Sequence, residues 1–183
     1  SILLPLFGVD LDIATVLLAM IPFFTILFTP LFGALVDKVG KATLWMIVGS
    51  AMVLVSHLII TFAPQGEPMY AYIAIALLGI GYSLVPSAMW PSVPKIIPEK
   101  NLGTAYSLIY WVQNLGMWAV PIYVGRIFKK EITEAGNISQ EITAAIHAEY
   151  VFIFLGIVAI ATAMMLYHSS RRHPELRLDE PAQ

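Results

Sequence analysis

Gln113 and Asn114 stand side by side in the middle of an apolar run, "LGTAYSLIYWVQNLGMWAVPIYVG". At helical spacing they share a face with Tyr106, Tyr110 and Met117. A preceding run places Tyr82, Pro86 and Trp90 at steps of four. Carboxamides in an apolar medium are costly unless their donors and acceptors are met. They either bond to other helices or border a water-filled cavity. Amides pair with backbone groups of a peptide-like ligand, and rings cover its side chains or attract a cation. Tyr82, Trp90, Tyr106, Tyr110, Gln113 and Asn114 are therefore the substrate-cavity candidates. Such a surface binds; it makes and breaks no bonds.

The residues for bond chemistry are missing. With no cysteine in the chain, disulfides, thiolate metal sites and cysteine nucleophiles are excluded. His57 would need Ser56 or Ser83 beside it to activate a serine, and Ser56 falls on the wrong helix face. His147, His168 and His173 lie in polar flanks, and no histidine pair has metal-ligand spacing with a carboxylate. We expect no enzyme activity, no metal and no cofactor. A net charge of −2 offers no basic face for phosphates, so no nucleic-acid partner is expected.

A second cluster interrupts the apolar sequence at "LFGALVDKVGKATLW", with Gly33, Asp37, Lys38, Gly40 and Lys41 close together. A phosphate-binding loop is ruled out, because that motif needs glycine where Leu35 stands and Ser or Thr where Ala42 stands. A tight basic turn between two membrane crossings fits.

The elements that carry these residues follow from composition. The chain is 58% hydrophobic and 12% charged, half the charged share of a soluble domain, which is about 25%. A lipid bilayer, unlike a core of this size, accommodates that much apolar surface. Five segments reach the ~20 residues a crossing needs: about 13–36, 42–63, 69–93, 102–127 and 150–167. None alternates with period two, so the expected fold is an all-α polytopic helical bundle. An outer loop, 128–149, and a cytoplasmic tail, 168–183, complete the division. Within the loop, Ile138, Ile142, Ala145 and Ile146 suggest a separate amphipathic helix at the interface. "SILLPLFG" reads as the tail of an earlier crossing, and "NIS" at 137–139 fits a glycosylation acceptor.

Charge sets the orientation. Lys38, Lys41, Lys95, Lys100, Arg171, Arg172 and Arg177 fall on one side of the alternating crossings, and Arg126, Lys129 and Lys130 on the other. The positive-inside rule puts the first group in the cytoplasm. Asp10, Asp12, Glu67, Glu131, Glu134, Glu141 and Glu149 then lie outside. No charged residue is expected in mid-crossing. Pro22, Pro30, Pro86 and Pro121 fall inside crossings as kinks or gating points.

"GALVDKVGK" resembles the signature loop of the major facilitator superfamily, with Gly33, Asp37, Gly40 and Lys41 matching it one by one. The resemblance implies a latch on the cytoplasmic gate. Gly33 would admit a close helix, Asp37 would cap a neighbouring helix N-terminus, Gly40 would reverse the chain, and Lys41 would supply charge. "WPSVPKIIPEKNLGTAYSLIYWVQNLG", residues 90 to 116, further resembles the branch containing the lysosomal dipeptide uniporter and its bacterial relatives. This implies the C-terminal half of a twelve-helix transporter, its five crossings being the eighth to twelfth. Its partners would be the N-terminal half, the bilayer and a small dipeptide-like substrate, and the membrane bacterial inner or lysosomal. Within transport, the alternative is a proton-coupled carrier of sugars or organic anions, which a protonatable carboxylate inside a crossing would favour. A non-transporting scaffold or partner subunit is the alternative of another class. In the family fold the second crossing is peripheral, so His57 reads as bonded to a neighbouring helix, with a proton relay as its other reading.

Overall fold

The computed structural model describes residues 3–132 and 137–181. Glu134, expected on the outer side, lies outside them, as do the first two residues of "SILLPLFG". Among the described residues the secondary structure is helical throughout. A one-turn helix α1 (Leu3–Phe7) precedes α2 (Leu11–Val39), α3 (Ala42–Phe62), α4 (Pro68–Ile96), α5 (Leu102–Glu131) and α6 (Ile138–Arg172). Short 3-10 turns at Glu99–Asn101 and Pro174–Leu176 lead into α5 and out of α6. In lipid each backbone N–H and C=O must find its partner within its own segment, which is why apolar runs become long helices.

Four of the five long helices, α2, α3, α4 and α6, combine the length and hydropathy of membrane spans. α5 has the length but carries Gln113, Asn114, three glycines and three tyrosines that lower its hydropathy. It is also the least embedded: none of its residues is buried, and its neighbours are α6 and, barely, α4.

α4 is the centre of the bundle. It packs against both α2 and α3, and α3 packs in turn on α6. The α3–α4 crossing is tight because glycine faces glycine. A Cβ on Gly49 would sit 3.0 Å from the Gly81 carbonyl oxygen, and one on Gly81 would sit 2.8 Å from the Gly49 oxygen. Small residues let membrane helices gain dispersion contact along the backbone itself, where no hydrophobic effect drives them together. Ser56 Oγ strengthens the seam by donating to the Ala74 carbonyl at 2.7 Å. Inside α4, Pro86, Pro91 and Pro94 are all accommodated in one continuous helix. A neighbouring hydroxyl bridges elements there: Ser87 Oγ lies 3.1 Å from the Thr29 carbonyl of α2.

One expectation needs correcting. Residues 138–149 do not form a separate interfacial helix: they are the first three turns of α6, continuous to Arg172. At 1.5 Å per residue this 35-residue helix is about 52 Å long, far more than the ~30 Å hydrocarbon core. Ile138 is exposed, and the rest of the apolar stripe packs on protein. Ala145 belongs to a buried cluster with Leu3, Leu6 and Phe7 of α1 and with Ile60, and Ile142 and Ile146 pack on it. Asn137 starts the helix as its cap, its side-chain oxygen accepting from the Gln140 N–H at 3.1 Å.

Candidate functional site

The structure gathers part of the aromatic–amide set and leaves it open. α4 and α5 run antiparallel, joined by the turn at residues 97–101. Trp90, near the end of α4, stacks on Tyr110 of α5 with centroids 5.0 Å apart and planes at 27°. Tyr106 lies against the same indole at 5.7 Å. Two helices that otherwise scarcely touch are thus joined by three rings, an arrangement worth about 0.5–1.5 kcal/mol per pair beyond area burial. Tyr82 stands two turns further along α4 and is 52% exposed, as is Tyr110. Asn114 Nδ2 donates to the Tyr110 carbonyl at 2.8 Å, one turn back on its own helix. Gln113 is exposed. The rings meet; Tyr82 and Gln113 do not join them by direct contact. Tyr110, Gln113 and Asn114 are exposed, and Trp90 and Tyr106 are half-buried.

A cleft of about 1030 Å³ opens elsewhere, between the C-terminal half of α5 and the N-terminal half of α6. Trp118, Tyr123, Phe154, Arg126 and Lys130 are among the residues that line it.

At the other end of the bundle, the loop between α2 and α3 takes a geometry only partly anticipated. Gly40 has φ +70° and Lys41 φ +58°. Two successive left-handed residues reverse the chain, and glycine adopts that conformation without a Cβ penalty. Trp45 Nε1 closes the turn by donating to the Gly40 carbonyl at 3.0 Å. The Asp37 side chain is exposed, and no atom of the chain comes within 4 Å of a Cβ placed on Gly33. The N-terminus of α3 is capped by a residue that follows α6. Asp179 Oδ1 accepts from the Thr43 N–H at 2.9 Å and from Thr43 Oγ1 at 2.8 Å. Its Oδ2 accepts from Ser170 Oγ at 2.8 Å, and its backbone carbonyl accepts from the Lys41 N–H at 2.8 Å. No local sequence signal marks Asp179 as the cap of α3, because Thr43 stands 136 positions away.

His57 and Glu149 form a third constellation. His57 Nδ1 and Glu149 Oε2 are 2.7 Å apart, between α3 and α6, with the histidine ring stacked on Phe152 at 5.1 Å. Glu149 is 2% exposed. Glu149, expected in the loop before the last crossing, sits three turns into α6 and is buried, because its helix begins earlier than its hydropathy suggests. The bonded-neighbour reading of His57 matches this geometry. In the solvent-facing tail, the Glu175 carboxyl is held below its ordinary value by its own backbone N–H first and by the His173 ring second, with His173 Nδ1 at 2.9 Å.

With this geometry in place, comparison with known proteins decides the family. The model of the Major Facilitator Superfamily matches residues 1–121. The chain belongs to that superfamily. It is a multi-pass integral membrane protein of helical-bundle architecture. Among curated proteins it is similar to the lysosomal dipeptide transporter MFSD1 of Mus musculus, at 44% identity over 99 residues, 54% of this chain and 20% of the relative. The Homo sapiens protein of the same name is 42% identical over 99 residues, with the same shares of each chain. That of Danio rerio is 32% identical over 139 residues, 76% of this chain and 27% of the relative. The chain thus aligns to only 20% to 27% of these relatives' length. No solved structure matches it.

Proposed function

We propose that this chain is the C-terminal part of a carrier that moves a small solute by alternating access, with dipeptides as the substrate. The observation that supports this most is α5: a long helix of a transporter superfamily, without one buried residue, whose exposed face joins Trp90, Tyr106 and Tyr110 to two amides. A helix with no buried residue is suited to facing an aqueous path and a second helical half. The match to transporters named for dipeptides favours peptide cargo. The rings would cover side chains, Gln113 and Asn114 would pair with the peptide unit, and charged ends would be met by residues outside this chain. α2 and α5 would then carry the faces that meet the other half, the cleft between α5 and α6 would hold the seventh helix, and Gly33, Asp37, Gly40 and Lys41 would form the inner gate. The organelle in the relatives' name suggests a lysosomal membrane, and a bacterial inner membrane fits equally a source without lysosomes.

The test is uptake of labelled dipeptides into vesicles holding the complete protein. Saturable uptake that falls at least tenfold in Tyr110→Ala and Gln113→Leu supports the reading. Uptake of a sugar or organic acid instead, with no dipeptide uptake, overturns it.

The buried His57–Glu149 pair favours a second reading, coupling to protons, because it puts a protonatable carboxylate inside a helix of the bundle. Its place between α3 and α6, away from the Trp90 face, weighs for uniport. Uptake that responds to an imposed pH gradient, and loses that response in Glu149→Gln, would establish coupling.

A further inference from the structure

The residues after α6 are held to the bundle by side-chain and backbone hydrogen bonds. The chain leaves α6 at Arg172, makes the 3-10 turn Pro174–Leu176, and reverses at Arg177, whose φ is +52°. It then runs back across the inner ends of three helices. Leu178 is 1% exposed. The Lys95 ammonium at the end of α4 donates to the carbonyls of Leu178 at 3.3 Å and Glu180 at 2.9 Å. Asp179 enters the α3 N-terminus, where unpaired N–H groups carry partial positive charge, and meets Thr43 and Ser170, both buried.

The signature glycine is shaped to this segment. A Cβ on Gly40 would collide with the Asp179 carbonyl oxygen and lie 2.8 Å from Pro181 N and 2.9 Å from the Glu180 carbonyl carbon. Gly40 is thus required twice, for its left-handed φ and for the space the tail fills. Lys41, also left-handed, gives its N–H to the tail. A basic end of the bundle receives an acidic segment, and charge-assisted hydrogen bonds of this kind are shorter and stronger than neutral ones.

We propose that Leu178–Glu180 is a built-in clamp on the signature loop. With Asp179 seated, the loop keeps its turn, and the inner ends of α3, α4 and α6 are tied into one body. With Asp179 withdrawn, the Thr43 and Lys41 amides lose their acceptors and the loop is free to rearrange. The clamp is an internal ligand of the loop, and its consequence for transport rests on the gate reading above.

Hydrogen–deuterium exchange on the complete protein in nanodiscs tests the docking without any substrate. Peptides covering residues 40–46 should exchange at least tenfold faster in Asp179→Ala and Thr43→Val, and after a stop following Arg172, with mid-helix α4 peptides unchanged. Thr43→Ser, which keeps the hydroxyl, should behave as wild type. A synthetic peptide of residues 174–181 at millimolar concentration should restore protection to the truncated protein. Unchanged exchange in Asp179→Ala and Thr43→Val overturns the clamp, whether or not the truncation folds. Initial uptake rates in the same two variants read the gate. A change of threefold or more at unchanged KM supports control of the gate, and unaltered uptake alongside raised exchange overturns that part. If wild-type protein moves no solute at all, the carrier reading fails while the exchange result still decides the clamp.

Discussion

At the residue scale, buried polar pairs dominate. His57 and Glu149 lie 2.7 Å apart with side chains 12% and 3% exposed. Removing one partner strands the other without water, at a cost of about 1–3 kcal/mol. Replacing both with apolar residues avoids that penalty. We expect His57→Leu or Glu149→Leu alone to lower the thermal midpoint of the purified protein, and the double variant to recover much of the loss. Additive losses in a double-mutant cycle would show the contact to be energetically idle. Glu175 makes the complementary prediction in solvent. Its folded pKa lies below the ordinary 4.5, so its bonds stabilise the turn above that value and are lost as pH falls through the folded pKa. An NMR titration should place its midpoint below 4.5, and His173→Ala should raise it part of the way while the backbone N–H still holds it down.

At the element scale, the α3–α4 seam depends on two glycines that meet backbone to backbone. Gly81→Ala places a methyl 2.8 Å from the Gly49 oxygen and 2.9 Å from Met52 Cβ. Neither neighbour is the flexible end of a side chain, so the helices must separate, and overpacking of this kind costs about 1–3 kcal/mol. The expected readout is a lower midpoint in detergent unfolding. Gly33→Ala, where the space is open, should leave stability near wild type. A reversal of that order would mean the seam is looser than described.

At the scale of the whole molecule, the decisive feature is uneven burial. α4 is enclosed by its neighbours, whereas α5 exposes Trp111, Met117 and Trp118, each at least 64%. Whether α5 crosses the bilayer follows from sidedness. Between positions 38 and 129 lie α3, α4 and α5. With three crossings, Lys38→Cys and Lys129→Cys in a protein lacking other cysteines should react with an impermeant maleimide from opposite faces, 129 from outside. Labelling of both from one face would take α5 out of the membrane. The basic end of the bundle coheres in space, since Lys41 and Lys95 both bond to the tail that carries Arg177.

The sequence by itself determined the helical class, because a bilayer allows little else to an apolar run. It also put Tyr106 and Tyr110 on one face of their helix, since helical periodicity is a local property, whereas the stacking of Trp90 of α4 on them is a contact between helices. Only the tertiary structure decided where Glu149 goes, that residues 138–149 belong to α6, and that Asp179 caps α3. Those contacts join residues 92 and 136 positions apart. Hydropathy reads a carboxylate as solvent-facing wherever it stands, and it takes the fold to bring in the imidazole or the free amide that makes burial affordable.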